Sequence, residues 1–118
     1  KQDILAFRTM FWWGNFFSMT LHLQGKYLEE SRKSLINNIS SLLDKQLYIC
    51  VGETPWEYHY EPDNYELLQV EHAEQIKSGE FLKLSRKTEL SKWKTLPIFS
   101  VDTLNLFLSV LSKQADHK

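Results

Sequence analysis

Two β-prone runs meet at Gly14-Asn15, and no other part of the chain limits its fold as strongly. Residues 4–13 read Ile-Leu-Ala-Phe-Arg-Thr-Met-Phe-Trp-Trp, and residues 16–24 read Phe-Phe-Ser-Met-Thr-Leu-His-Leu-Gln. Gly-Asn between such runs suits a type II′ hairpin turn, because glycine tolerates the positive φ that the turn requires. The second arm alternates. Phe17, Met19, Leu21 and Leu23 point one way, and Ser18, Thr20, His22 and Gln24 the other. The first arm is apolar on both faces, with Phe7, Phe11 and Trp13 opposite Met10 and Trp12.

The turn length sets which side chains share a core. A two-residue loop pairs Trp13 with Phe16 and Trp12 with Phe17. A three-residue loop moves one arm by one residue and exchanges the faces. It gathers Leu5, Phe7 and Phe11 with Phe17, Met19, Leu21 and Leu23, and leaves Arg8, Trp12, Ser18 and His22 on the far side. Turn chemistry favours the first register, and segregation of apolar residues favours the second. In both, large aromatics lie on the second face, so that face is expected to be covered.

Residues 26–45 carry Leu28, Leu35, Ile39, Leu42 and Leu43 at helical spacing, which predicts an amphipathic helix. Glu29 and Glu30 lie in its first turn, where the helix dipole favours acids. Residues 47–51 predict a short buried strand ended by Gly52. A second hairpin is expected from 56–60 and 65–70 across Glu61-Pro62-Asp63-Asn64, with Trp56, Tyr58 and Tyr60 on one face. A helical turn over 72–79, a strand over 81–86 and an irregular stretch over 88–97 follow. Asp102 is a candidate N-cap for a last helix over 103–113, which is apolar nearly all round and so either deeply buried or packed on a partner. The expected fold is a single α+β domain over residues 1–118. It has a mostly antiparallel sheet of about five or six strands and two main helices, in the order β-β-α-β-β-β-β-α.

The chain has 118 residues, room for one core, and its 42% apolar and 25% charged content is that of a soluble globular protein. Its aromatic content, with four Trp, five Tyr and seven Phe, exceeds what so small a core needs. The formal charge is −1, yet charge is segregated. Glu53, Glu57, Glu61, Asp63, Glu66, Glu71 and Glu74 fall within 53–76, where Lys and Arg are absent. Lys77, Lys83, Arg86, Lys87, Lys92 and Lys94 follow within 77–94, against Glu80 and Glu89. Such polarity concerns association more than fold. The apolar stretch 4–23 is interrupted by Arg8, Asn15 and His22, and so is not expected to span a membrane. The chain opens on Lys1, as a processed protein or a piece of a longer one would. The single cysteine, Cys50, excludes an internal disulfide and fits a reducing, intracellular compartment.

Phosphate-cradling glycine loops, a G-x-S-x-G elbow and an H-E-x-x-H helix are all absent from the sequence. The four glycines do not cluster. Glu57, His59 and Glu66, with His72 nearby, resemble a metal set, but an exposed cross-strand His–Glu pair explains them as well. Cys50 sits inside Tyr48-Ile-Cys-Val51, which predicts an inert core thiol. Carboxylate pairs such as Glu29/Glu30 and Glu57/Glu66 lack an apolar pocket to raise a pKa. Asn38-Ile39-Ser40 matches a glycosylation triplet by composition alone. No metal, cofactor or catalytic residue is implied.

Three functions follow. The first is a non-catalytic protein-interaction module or assembly subunit, binding another protein or itself. Trp12, Trp13, Trp56, Tyr58, Tyr60 and Trp93 would anchor the partner, and Glu57, Glu61, Asp63 and Glu66 would steer it. The second is single-stranded nucleic-acid binding through Lys83, Arg86, Lys87, Lys92 and Lys94 around Trp93. The third is a small-ligand binder or enzyme with a pocket near Tyr48, Trp56 and Tyr58.

Overall fold

A computed structural model describes residues 2–12, 16–57 and 64–112, the side chains of Trp12, Leu90, Ser91, Trp93 and Ser112 excepted. The first hairpin forms from β1 (Ile4–Trp12) and β2 (Phe16–Gln24). Trp12 pairs with Phe16, Thr9 with Met19 and Ile4 with Gln24, which is the register of the three-residue loop. Segregation of apolar side chains therefore outweighs the turn preference of Gly-Asn. Gly14 and Asn15 themselves lie outside the described residues.

Helix α1 (Lys26–Asn37) follows. Its entry is a tight corner at Gly25, which has a φ of 64°. Asp3 Oδ1 accepts from the Lys26 backbone N–H at 2.9 Å, so the residue just before β1 caps the helix that follows the hairpin. The helix expected over 26–45 breaks at Asn38. There the side-chain Nδ2 donates to the Ser34 carbonyl at 2.7 Å and competes with the backbone for it. A short α2 (Ile39–Leu42) resumes the chain.

β3 (Tyr48–Cys50) pairs with β4 (Tyr65–Leu67), with Ile49 opposite Glu66. The second hairpin expected from 56–60 and 65–70 falls largely outside the described residues, and 65–67 lie beside β3. Residues 56 and 57 are not in a strand, while 58–60 lie outside the described residues. The carbonyls of Pro55 and Glu57 are taken by the Lys83 side chain instead of a strand partner. A 3-10 turn (Val70–His72) leads into α3 (Ala73–Ser78), where a helical turn was expected. β5 (Phe81–Glu89) then crosses the middle of the sheet, and a second 3-10 segment (Leu90–Thr95) leads to α4 (Leu96–Ser112). That helix starts earlier than the Asp102 cap implied. Pro97 suits a first turn, and the Asp102 carboxylate is engaged by Arg86 across the gap to β5.

The fold is α+β, with one antiparallel sheet in the order β1-β2-β5-β3-β4. The helices lie on one side. Leu21, Leu23, Leu82, Leu84 and Ile49 face them from the sheet, and Leu28, Leu35, Ile76, Phe107 and Val110 answer from the helices. Each such buried side chain contributes about 1.5–3 kcal/mol before conformational entropy is charged against it. Phe7 on β1 meets Phe107 edge-on at 5.6 Å, and Ser34 Oγ donates to the Val110 carbonyl, which fixes α4 to both β1 and α1. Among the described residues no helix is long and apolar enough to cross a membrane.

Candidate functional site

The sheet face away from the helices is polar and yet buried. Ser18, Thr20 and His22 on β2 and Lys83 and Ser85 on β5 lie there, each at most 2% exposed. Alternation placed them there because the side chains between them, Met19, Leu21 and Leu23 on β2 and Leu82 and Leu84 on β5, are apolar and buried on the other face. Among the described residues, Pro55, Trp56 and Glu57 lie over the Lys83 and His22 end of this face, and their carbonyls need donors. Lys83 Nζ supplies them, at 2.7 Å to Pro55 O and 2.9 Å to Glu57 O.

His22 stands directly opposite Lys83 in the β2–β5 ladder. The Arg8 guanidinium donates to His22 Nδ1 at 3.0 Å, and a guanidinium has no acceptor, so Nδ1 is unprotonated. Nε2 then carries the proton and donates to Gln24 Oε1 at 3.1 Å. Burial holds the imidazole below its ordinary pKa, and the cations of Arg8 and Lys83 push the same way against the Gln24 bond. Trp56 lies edge-on to the ring at 5.4 Å.

Cys50 follows Ile49, the β3 residue paired with Leu84, and so comes beside Lys83. Burial pushes its thiol up, and Sγ donates to Asn64 Oδ1 at 3.5 Å. Asn64 Nδ2 donates to Glu57 O, and Val51 N–H donates to Asn64 O. Burial brings the Lys83 ammonium down to about 8. The Lys83 ammonium also lies 5.6 Å from the Tyr65 ring centre. Every buried side-chain polar atom among the described residues has a partner. This row therefore acts as a clamp that holds the 55–57 segment to the sheet. The thiol is in a core position, as its sequence neighbours implied, and it is the protonated form that this setting favours.

The sequence-nominated residues are dispersed. Trp56 is 52% exposed, and Glu57 and Glu66 are exposed as well. Glu66 accepts from His72 Nε2 at 2.9 Å, a local pair on the β4 side. His59 and the anchors and steering acids Trp13, Tyr58, Tyr60, Glu61 and Asp63 lie outside the described residues, as do the side chains of Trp12 and Trp93. Among the described residues no group of His, Cys, Asp and Glu converges on a metal position. Of the basic set, Lys83 is withdrawn from any surface, which corrects its assignment as a nucleic-acid contact. Its long stem fills the polar layer, and its charge is spent on backbone carbonyls. Arg86 donates to Asp102 Oδ2 at 2.8 Å and to Thr103 Oγ1 at 3.1 Å, while Lys92 and Lys94 are exposed.

An apolar surface that sequence reasoning did not single out lies along β1 and α4. β1 is the nine-residue edge strand of the sheet, and Arg8 is its only charge. Leu5 and Phe11, on its helix side, are each more than half exposed. Leu5 and Phe7 bound a groove of about 170 Å³ with Leu104, Phe107, Leu108 and Leu111 of α4. On the outer face of α4, Ile98, Val101 and Leu108 recur at helical spacing, and Ile98 is 72% exposed. The signals were present, as a first arm apolar on both faces and a helix apolar nearly all round. Neither signal says which side stays uncovered.

Neither a protein-family model, nor a curated protein, nor a solved structure matches the chain.

Proposed function

We propose that this chain is a non-catalytic protein-interaction module, and that a second copy of the chain is what docks on it, through the outer edge of β1. The observation that carries this is the edge strand itself. A long, nearly uncharged edge presents backbone donors and acceptors to any strand alongside, and proteins that stay apart blunt such edges with Lys, Pro or bulges. β1 has none of these, and the exposed side chains beside it, Leu5 and Phe11, are apolar.

A like copy can pair with β1 in a register free of like-charge contact. An antiparallel twofold pair centred on Arg8 would oppose two guanidiniums. Centring it on Thr9 sets Phe7 against Phe11 twice and Arg8 against Met10 twice, with no like charges facing. The outer stripe of α4 lies on the same side of the sheet and extends the apolar contact. The acidic residues of the 53–76 stretch, Glu57 and Glu66 among them, would orient the encounter more than hold it. An intracellular setting accords with Cys50 as a free thiol bonded to Asn64.

Sedimentation equilibrium across micromolar to millimolar concentrations tests the proposal. The expected result is a dimer that Leu5→Lys or Phe11→Lys returns to monomer, with circular dichroism unchanged. A chain that stays monomeric throughout would sink it, as would a dimer indifferent to both substitutions.

A further inference from the structure

Arg8 is the one charge on β1, and it leans away from the open edge of the sheet. Its guanidinium reaches across to β2, where Nη1 lies 3.0 Å from His22 Nδ1. β1 and β2 pair with Arg8 opposite Thr20 and Ala6 opposite His22, so Arg8 and His22 are diagonal neighbours on the polar face. A guanidinium only donates, and this bond therefore exists only while Nδ1 is unprotonated. The ring is completely buried, with Gln24 Oε1 as the acceptor for its other nitrogen.

Among the described residues, the ring is faced by Arg8 from β1, by Gln24 on its own strand, by Lys83 and Phe81 from β5, and by Trp56 from the segment over this face. The Cys50 thiol of β3 lies beyond Lys83, and Glu57, next to Trp56, is exposed. Burial and the cations of Arg8 and Lys83 all favour the neutral ring. An imidazolium carries two N–H donors, of which Gln24 can accept one and Arg8 none. Protonation of His22 therefore turns the Arg8 contact into donor against donor and expels the guanidinium from its place.

We infer that the Arg8–His22 bond is a pH latch on self-association, which keeps Arg8 clear of a second copy at neutral pH and, once His22 is protonated, sets Arg8 against it. The inference rests on the β1 pairing proposed above. In the pairing centred on Thr9, Arg8 stands opposite Met10 of the other copy, so the two Arg8 residues are diagonal neighbours across the twofold, about 7–8 Å apart. While each guanidinium is bonded to its own His22, both lean back over β2 and away from each other. Once expelled, they meet at the twofold with an imidazolium behind each, and like charges repel. A lone chain turns the freed Arg8 outward into water, where the dimer has a second strand. The dimer therefore takes up the proton less readily than the lone chain, and by linkage acid dissociates it.

Sedimentation equilibrium of the chain at pH 7.5 and 5.5 provides the test, with far-ultraviolet circular dichroism at each pH. The expected result is a dimer at pH 7.5 whose Kd rises on the order of tenfold at pH 5.5, which corresponds to one pKa unit between dimer and lone chain. His22→Gln keeps an acceptor for Arg8 and a donor for Gln24 without titrating. Arg8→Gln removes the cation and leaves an amide that can face either form of the ring. Each variant should dimerise with the same Kd at both pH values. A parent dimer equally tight at both pH values overturns the inference and leaves the β1 pairing standing, whereas a chain monomeric at pH 7.5 overturns both. Variants that weaken in step with the parent also overturn it, because another group then carries the pH dependence. So does a loss of ellipticity at pH 5.5, which makes the dissociation an unfolding.

Discussion

Lys83 and His22 stand opposite each other on adjacent strands, both without solvent exposure, and neither is the other's hydrogen-bond partner. Each side chain looks away along its own network. His22 turns to Arg8 and Gln24, while Lys83 turns to the carbonyls of residues 55 and 57. Two groups that would repel when charged are thus packed together, and the fold accepts this by keeping the imidazole neutral.

That neutrality makes the protein acid-sensitive. The folded pKa of His22 is lowered by burial, and Arg8 and Lys83 add to the effect. The unfolded chain therefore takes up the proton first as pH falls. The stability that His22 confers is complete above about pH 6.5 and is lost as pH falls from there toward the folded pKa, at up to about 1.4 kcal/mol per pH unit. Gln can accept from Arg8 and donate to Gln24 without titrating. Urea midpoints of His22→Gln should vary less between pH 7.5 and 5.5 than those of the parent chain; equal slopes would refute this.

The opposite limb belongs to Lys83. Its folded pKa is about 8, against an ordinary value of 10.5. Between these values the unfolded chain holds a proton that the folded chain has released, so Lys83 makes stability rise with pH. The full gain is on the order of 3 kcal/mol, and below pH 8 the cost of burying the charge is fully present. Cys50 acts the other way, because a thiol with a raised pKa loses its contribution once the unfolded thiol ionises near 9. The Lys83 gain is therefore read as the difference between the parent chain and Lys83→Met at pH 7.5 and 9.5. The parent should gain relative to the variant. At pH 7.5 the variant should also release Trp56 toward iodide quenching, since the carbonyls of Pro55 and Glu57 lose their donor. Unchanged quenching would argue against the clamp.

Gly25 is a third point of test. A Cβ at this position would lie 2.2 Å from Asp3 Oδ1 and 2.6 Å from the Gln2 carbonyl, on a backbone with φ of 64°. Gly25→Ala should therefore destabilise the chain by more than the ~1 kcal/mol cost of a left-handed alanine, since it also displaces the carboxylate that caps α1. Asp3→Ala, which removes only the cap, should cost less, about 1 kcal/mol. Thermal or urea denaturation of the two variants gives the comparison, and a neutral Gly25→Ala would contradict the corner as described.

Much of the sheet was legible because its signal is local. Alternation along β2, and the leucines of β5, record a face at every second residue, and burial of that face leaves little freedom in pairing. The three-residue register of the first hairpin could be reasoned toward by the same means, since it alone puts Leu5, Phe7 and Phe11 with Met19 and Leu21. At the start of the second expected hairpin, residues 56 and 57 are not in a strand, and the carbonyls at 55 and 57 accept from Lys83, some 26 residues or more away along the chain, a contact that local alternation does not record. Of the candidate sites, the apolar first arm and the apolar last helix were visible. Which of their faces remains uncovered depends on strand order and on how α4 lies against β1.

By itself the sequence determined an α+β chain with an antiparallel sheet, a helix-facing layer of leucines and a buried thiol, because side-chain period and burial act over a few residues. Only the tertiary structure decided that β1 stands at the edge, that Lys83 is interior, and that Arg8 reaches His22. Those facts depend on strand order and register, which are set by contacts between residues far apart in the chain and leave no local pattern to read.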